Sequence, residues 1–309
     1  MIKHLIRFAL TLFGVSIISF LLLDFAPGDA AELLLSRQPE AFSGDRITAL
    51  RQELGLDAPL PMRYCKWLAR AVVLDFGTSF RSGEPVSQEI LHRLPTTLTL
   101  AGAAFVFTVF LSLIGGIVSA VFHNRLPDRC HRIWTICTVS IPDYWLGLML
   151  MLVFSLKLNW FPVIGGNGFT QFIMPVMTLG LSISAAEGRI FRANILEVLG
   201  QDYVLFASAK GLSQTKVFLH HVFRPALLPM ISLWGMLLGH LLGSRDCRVR
   251  LLLPGLGKLA VDAVSSRDIP MIQGTVLTMT LFFLLASRAM DLLYMLLLPA
   301  GGTVFVLKE

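Results

Sequence analysis

Charged side chains are scarce in this sequence. Asp, Glu, Lys and Arg make up 15% of its 309 residues, against about 25% in typical soluble domains. Hydrophobic residues make up 55%, and the mean hydropathy is +0.70. This composition predicts an integral membrane protein. The net charge of +6 agrees with basic cytoplasmic loops, and since no basic run carries interleaved aromatic residues, we expect no nucleic-acid binding.

Cysteine and nucleotide-binding motifs are also scarce. The four cysteines show no C-x-x-C spacing, so we expect neither a disulfide framework nor a metal site; they are Cys65, Cys130, Cys137 and Cys247. The Asp75-Phe76-Gly77 triplet has no accompanying kinase elements. Gly257-Lys258 lacks the earlier glycine and the following Ser or Thr of a phosphate loop. We therefore expect no catalytic residue and no cofactor in this chain.

Long apolar runs are abundant. A helix needs about 20 mostly apolar residues to cross the hydrocarbon core. A scan at that length predicts six spans, at residues 6–26, 96–122, 133–157, 172–190, 226–243 and 273–298. The first run is interpreted as an uncleaved span, because Asp24 and Pro27 follow it where a signal peptide would have a small-residue cleavage site. The predicted fold class is an all-α integral membrane protein with six transmembrane helices.

Lysine and arginine in the short loops predict the orientation. The N-terminus and the connectors after the second and fourth spans are basic, whereas the loop 159–171 has neither residue. The positive-inside rule then places both termini and both basic connectors in the cytoplasm. The segment 27–94 is too long for that rule. It contains a helical pattern that ends at Gly55.

These features predict four regions along the chain. They are a first transmembrane helix at 1–26, a small helical extracytoplasmic loop subdomain at 27–94, a five-helix core at 95–298 and a cytoplasmic tail at 299–309. Gly115 and Gly116 in the second span are predicted to be helix-packing positions, because small residues let membrane helices approach closely.

The basic connector after the fourth span is predicted to form two short helices. Asp202 caps the first helix and Gly211 ends it, because glycine accepts the left-handed conformation. Ser213 caps the second helix, which should end near Pro225, where proline has no backbone donor. The small residues 207–209 and Lys210 suit docking into a partner's groove. The same pattern also suits a solvated connector or a helix lying on anionic lipid, and the residues alone do not decide.

The string GQDYVLFASAKGLSQTKVFLHHVFRPALLPMIS resembles the cytoplasmic "EAA" loop of bacterial ABC-importer permeases, in the dipeptide, oligopeptide and nickel group. The strings LDFGTSFRSGEPV, LPTTLTLAGAA, NRLPDR, SIPDYWLGL, LPGLGKLAVDAV and RDIPMIQG are similar to the same group, so the resemblance covers most of residues 28–290. The Glu that names the wider motif is absent. The ATPase-coupling residues that the resemblance implies are Asp202, Ala207, Ala209, Lys210, Gly211, Leu212, Arg224, Ala226 and Pro229.

The resemblance implies a type I importer permease in the bacterial inner membrane, with a five-helix permease core that includes a cytoplasmic coupling loop at 191–228. Its implied partners are a second homologous permease subunit, two cytoplasmic ATPase subunits that bind ATP and Mg²⁺, an extracytoplasmic solute-binding protein and membrane lipid. The implied mechanism is rigid-body alternating access. The implied cargo is a peptide or nickel, and the stretch FSLKLNWFPVIG slightly favours nickel or a chelated metal.

Two ionisable residues inside the predicted spans are candidates for the translocation path. Asp143 follows Pro142 in the third span, and it either lines the path or faces a helix interface; we prefer the interface. His240 in the fifth span either lines the path or bonds a neighbouring helix. An intramembrane enzyme would need paired catalytic residues at membrane depth, and these two are the only candidates identified.

The stretch SRDCRVRL, at residues 244–251, departs from the resemblance, because relatives continue an apolar run there. Each charge at a helix centre would cost about 2.5 to 3.5 kcal/mol, so the fifth span is predicted to end near Gly243. The C-terminal LLLPAGGTVFVLKE also lacks the Asp-Pro-Arg ending of the group. These departures leave an alternative function, a transport-inactive permease copy or a membrane sensor that still docks ATPases.

Overall fold

A computed structural model describes residues 2–25, 31, 35, 44–53, 55–162, 168–242 and 255–297. The helices are α1 (Ile2–Asp24), α2 (Gly44–Glu53), α3 (Leu60–Val72), α4 (Val86–Val121), α5 (Leu126–Ser140), α6 (Asp143–Leu150), α7 (Thr170–Leu199), α8 (Asp202–Ala209), α9 (Gln214–Val217), α10 (Arg224–Leu242), α11 (Leu256–Ser265) and α12 (Ile269–Leu297). A π-helical stretch, Met151–Lys157, continues α6, and a second, Phe218–Phe223, joins α9 to α10. Over these ranges the only β-pairing is an isolated bridge between Thr78 and Pro85, and the predicted all-α class is confirmed.

Three of the described helices are long and apolar enough to cross a membrane. They are Val86–Val121, Gln214–Leu242 and Ile269–Leu296. The predicted first and fourth spans are helical as α1 and α7. The count of six spans stays a prediction.

The third predicted span, 133–157, is not one continuous helix. Helices α5 and α6 meet at an angle of 105°. The backbone is extended at Ile141 and Pro142, because the proline ring clashes with a helical conformation at the preceding residue and proline has no N–H to donate. The predicted span 133–157 therefore consists of two helices that are joined at a sharp bend.

Contacts divide the chain into two compact units, and the first consists of residues 1–97 and 253–284. Its apolar core joins the first turns of α4 to α11 and the start of α12, through Val86, Ile90, Leu259 and Met271. This packing explains why α4 begins before the predicted second span, 96–122, and continues through Pro95.

The predicted subdomain 27–94 contributes α2 and α3 to this first unit. Helix α2 ends close to Gly55, whose φ of +67° confirms the predicted stop. Helix α3 packs on α1 through aromatic rings: Phe20 lies 5.5 Å from Tyr64 and 5.6 Å from Trp67, measured between ring centroids. The Tyr64 hydroxyl also shares a 2.7 Å hydrogen bond with Ser16.

A buried carboxylate at Asp268 organises the loop between α3 and α4. It accepts hydrogen bonds from the backbone N–H groups of Phe80 and Arg81, each at 3.1 Å, and from the hydroxyl of Ser79. It also accepts a bond from the N–H of Met271 in the first turn of α12, where a negative charge faces the positive end of the helix dipole. The strings RDIPMIQG and LDFGTSFRSGEPV thus meet at one residue.

The second unit consists of residues 98–252 and 285–309. Helices α4 and α7 approach closely at Gly116, where an added Cβ would lie 3.0 Å from the carbonyl oxygen of Gly188 and 2.7 Å from Cδ1 of Phe191. Gly116 is therefore confirmed as a helix-packing position. Thr135 of α5 donates a 3.2 Å hydrogen bond to the carbonyl of Ala185 in α7.

Candidate functional site

The first predicted coupling helix is α8. Gln201, in extended conformation, occupies the N-cap position, and Asp202 is the first helical residue. The side chain of Gln201 makes no capping bond. The prediction that Asp202 caps the helix was therefore wrong by one residue. Its carboxylate still lies in the first turn, where the helix dipole favours a negative charge.

The end of α8 and the start of α9 agree with the sequence. Gly211 has a φ of +81° and donates its N–H to the carbonyl of Ser208 at 3.0 Å. Ser213 occupies the N-cap position of α9, although its side chain makes no capping bond. The predicted glycine stop is confirmed.

The second predicted coupling helix does not end at Pro225. It widens into the π-helical stretch Phe218–Phe223 and continues as α10, so one unbroken helix runs from Gln214 to Leu242. A wider turn changes which carbonyl lies opposite the proline ring, and this relieves the clash that a regular α-helix would impose. Pro225 thus marks a change of helical pitch, and the fifth predicted span, 226–243, is the second part of a longer helix.

The residues predicted to couple to an ATPase divide into buried and exposed groups. Ala207 and Ala226 are 6% and 1% exposed and pack within the chain. The exposed members are Asp202, Ala209, Lys210, Gly211, Leu212, Arg224 and Pro229. Ala207 therefore does not belong to a small-residue face that is open to a partner.

Two large apolar side chains on α8 are exposed, and the sequence pattern did not single them out. Leu205 and Phe206 are 61% and 62% exposed. The ammonium of Lys210 lies 4.6 Å from the centroid of the Phe206 ring, a favourable cation–π contact. Leu205, Phe206 and Lys210 therefore form a compact exposed patch on a short helix that ends at a glycine stop.

Helix α8 is fixed to the π-helical stretch that follows it. The hydroxyl of Tyr203 donates a 3.2 Å hydrogen bond to the carbonyl of His221, and Val204 and Ala207 are buried. These contacts connect α8 to the residues that lead into α10.

Asp143 lies at the first position of α6, immediately after the break in the third predicted span. Its carboxylate accepts a hydrogen bond from the hydroxyl of Ser182 in α7. The side chain is half-buried at this helix contact. His240 lies in the last turn of α10 and is exposed.

A third ionisable residue lies inside the fourth predicted span and was missed. Glu187 of α7 is 8% exposed, and its carboxyl oxygen accepts a 2.9 Å hydrogen bond from the indole N–H of Trp234 in α10. A search for every ionisable residue within 172–190 would have found it. The pair ties the fourth and fifth predicted spans together.

Among the described residues, no three His, Cys, Asp or Glu side chains lie close enough together to hold a metal ion. The charged stretch 244–251 and the predicted tail 299–309 lie outside the described residues.

Comparisons with known proteins agree on one class. Residues 112–300 match the family described as "Binding-protein-dependent transport system inner membrane component", and residues 1–101 match its N-terminal counterpart. The glutathione transport system permease protein GsiC of Escherichia coli strain K12 is 38% identical over 300 residues, covering 97% of each chain. GsiC of Shigella flexneri serotype 5b shows the same identity and coverage.

A solved structure of the MetNI methionine ABC transporter, in inward-facing conformations, shares the fold. Its TM-score is 0.53 at 15% sequence identity, and the alignment covers 68% of the present chain and 96% of that chain. At this identity the likeness shows the fold alone.

Proposed function

The chain belongs to the family of binding-protein-dependent transport system inner-membrane components, and we propose that it moves a small peptide into the bacterial cell. It is an ABC-importer permease subunit and not an enzyme, since ATP is hydrolysed by separate subunits in such transporters. The observation that carries the proposal is the 38% identity to GsiC across 97% of both chains.

The cargo we propose is a glutathione-like peptide. The support is the name of GsiC, a glutathione transport permease that matches along almost the whole chain. The slight preference for nickel that the stretch FSLKLNWFPVIG suggested has no support from these relatives, and nickel becomes one outcome of the test below. Asp143 and His240 remain candidates for lining the path.

The coupling role we propose belongs to α8, its exposed patch and the helix that follows. An apolar pair with a neighbouring lysine suits a groove that has an apolar floor and an acidic rim. The glycine stop at the end of α8 and the hydrogen bond from Tyr203 to the carbonyl of His221 support the proposal that a movement of the ATPase subunit is transmitted through α8 to α10. The further partners we propose are a second permease subunit and a second ATPase, together with an extracytoplasmic binding protein.

The proposed orientation has both termini and the coupling segment in the cytoplasm. Its support is the basic character of the two connectors and of the N-terminus, together with the absence of Lys and Arg from the loop 159–171. The segment 27–94 then faces the binding protein.

The test begins with purification of the chain and its bound partners from bacterial membranes. Leu205→Asp should lower the amount of copurified ATPase by roughly tenfold or more. The substitution removes the apolar contact that the bound ATPase would bury, and it adds a charge that must be desolvated in the interface. The matched control is Leu74→Asp, since Leu74 is 60% exposed and lies in the segment 27–94. Recovery of the ATPase at wild-type yield with Leu205→Asp would refute the docking role.

The cargo is tested by mass spectrometry of whatever the copurified binding protein carries. We expect a short peptide, and nickel or a nickel chelate would overturn the proposed cargo while leaving the permease assignment intact.

The alternative of a transport-inactive copy rests on the charged stretch 244–251. It predicts that ATP hydrolysis by the reconstituted complex does not rise when loaded binding protein is added, whereas a working permease gives a rise.

A further inference from the structure

A buried carboxylate lies at the turn between α4 and α5. Asp128 is 0% exposed. It accepts a 2.6 Å hydrogen bond from the hydroxyl of Ser119, near the end of α4, and a 2.9 Å bond from the backbone N–H of Asn124 in the turn itself. Asn124 has a φ of +62°, so this bond holds a backbone conformation that most residues avoid. One side chain thus fixes the α4–α5 turn.

The same carboxylate is gripped from α7. The guanidinium of Arg192 donates through Nε to Oδ1 at 2.7 Å and through Nη2 to Oδ2 at 2.9 Å. Two parallel bonds of this kind fix the orientation of both groups as well as their separation. Nη2 of Arg132 lies 3.5 Å from Oδ2. Asp128 lies before the third predicted span. The pKa of its carboxyl group is well below the ordinary value, and the hydrogen bond from Arg192 is the largest cause.

Arg192 lies in the part of α7 that leads into the coupling segment. Helix α7 ends at Leu199 and α8 begins at Asp202, so about two helical turns separate Arg192 from the end of α7. We call residues 191–199 the stem. Along the stem, Phe191 makes an edge-on ring contact with Phe223 at 6.0 Å, and Asn194 donates to the carbonyl of Ala226 at 3.4 Å.

A buried ion pair contributes little net stability compared with well-packed apolar residues, because both charges must be desolvated. We call the two parallel Asp128–Arg192 bonds the fork. Their main effect is geometric, because they fix the stem relative to the α4–α5 turn. The stem also holds the base of α10. A displacement that enters at α8 therefore reaches α4, α5 and α10 together.

We propose that Asp128 is a positioning residue that makes the α4–α5 turn and the stem move as one body, so that the movement of the coupling segment reaches the second and third predicted spans. This inference rests on the proposed coupling role of α8. It assigns a mechanical function to a connector that is separate from the coupling segment.

The first test measures whether the turn and the stem move together. With the four native cysteines replaced by serine, nitroxide labels are placed at Arg125→Cys and Glu197→Cys, both on exposed positions. Pulsed electron spin resonance then gives the interlabel distance in the assembled complex, without nucleotide and trapped with ADP-vanadate. We expect one narrow, unchanged distance in both states and a broadened or shifted one after Arg192→Lys, which keeps the charge but loses the fork. A distance that changes between the two states in the unaltered pair would overturn the proposal.

The second test measures coupling in proteoliposomes that contain the full complex and its binding protein. Asp128→Asn and Arg192→Lys should lower the stimulation of ATP hydrolysis by loaded binding protein by roughly tenfold, the range for losing a charge-assisted bond. The control is Asp291→Asn, since Asp291 is exposed and pairs with Arg288 at 3.3 Å; its stimulation should equal that of the wild type.

The Asp128→Asn variant could give less assembled complex while each complex keeps the wild-type stimulation of ATP hydrolysis by loaded binding protein. Asp128 would then serve stability alone, and this result would overturn the proposal. Should Asp128→Asn not reach the membrane, Arg192→Lys decides the question. Failure of the proposed function itself is distinguishable, because the wild-type chain would then copurify with no ATPase at all.

Discussion

Alanine at Gly116 should weaken the packing of α4 on α7. The added Cβ would lie 2.7 Å from Cδ1 and 3.0 Å from Cβ of Phe191, and 3.0 Å from the carbonyl oxygen of Gly188. Phe191 is 0% exposed, so its ring has no open space to move into, and the carbonyl oxygen belongs to the backbone of α7. Relief therefore requires the two helices to separate.

The magnitude follows from two opposing effects. A change from glycine to alanine inside a helix stabilises it by about 0.5 to 1 kcal/mol, and overpacking a tight contact costs about 1 to 3 kcal/mol. Gly102 lies in the same helix, and among the described residues no heavy atom lies within 4 Å of a Cβ added there. Because the helix-propensity effect is common to both substitutions, the difference between Gly116→Ala and Gly102→Ala isolates the steric cost.

We expect Gly102→Ala to be neutral or stabilising and Gly116→Ala to be less stable than Gly102→Ala by about 1 to 3 kcal/mol. The assay is equilibrium unfolding in mixed micelles of a mild detergent and sodium dodecyl sulfate, followed by the fluorescence of the five tryptophans. Equal unfolding free energies for the two variants would refute the argument that α4 and α7 touch at Gly116.

Two further predictions concern buried polar contacts. Trp234→Phe leaves the carboxyl oxygen of Glu187 without its indole donor, and it should lower the unfolding free energy by about 1 to 3 kcal/mol more than Trp160→Phe, which removes an exposed tryptophan; equal losses would contradict this. Since its ion pair lowers the pKa of Asp128, the contribution of Asp128 to stability is fully present above the ordinary value of 3.8 and is lost as pH falls through the lower folded-state value. The difference in melting temperature between wild type and Asp128→Asn should therefore be steady at neutral pH and narrow below about pH 4, and a constant difference down to pH 2 would disprove it.

Local signals in the sequence predicted the parts of the coupling segment that depend on a few neighbouring residues. Gly211 ends α8 because a left-handed residue was needed there, and Ser213 begins α9. The cap of α8 was misplaced by one residue, because Gln201 and Asp202 are both polar and the choice depends on the backbone that arrives from α7.

Features that depend on distant contacts were not predictable in this way. The break at Ile141 and Pro142 is an exception, because Pro142 is a local signal that a hydropathy scan does not register. The pairing of Glu187 with Trp234 joins residues 47 apart in sequence, and that of Asp128 with Arg192 joins residues 64 apart. A hydropathy scan reports how apolar a segment is, and it carries no information about which helices meet.

The π-helical stretch Phe218–Phe223 has a consequence for how this chain tolerates changes in length. Helix α9 and the fifth predicted span form one continuous rod, and its π-helical turns hold more residues per turn than the α-helix that follows. Each α-helical residue advances the rod by about 100°. Because a π-turn closes i→i+5 bonds and holds more residues than an α-turn, loss of one residue within 218–223 can be absorbed by a return to α-helical pitch, and α9 and α10 keep nearly the same relative orientation. Loss of one residue from the regular α-helix of α10 would instead turn the residues on its two sides by about 100° relative to each other. The π-helical stretch is therefore the part of this rod where the loss of one residue should disturb the relative orientation of α9 and α10 least.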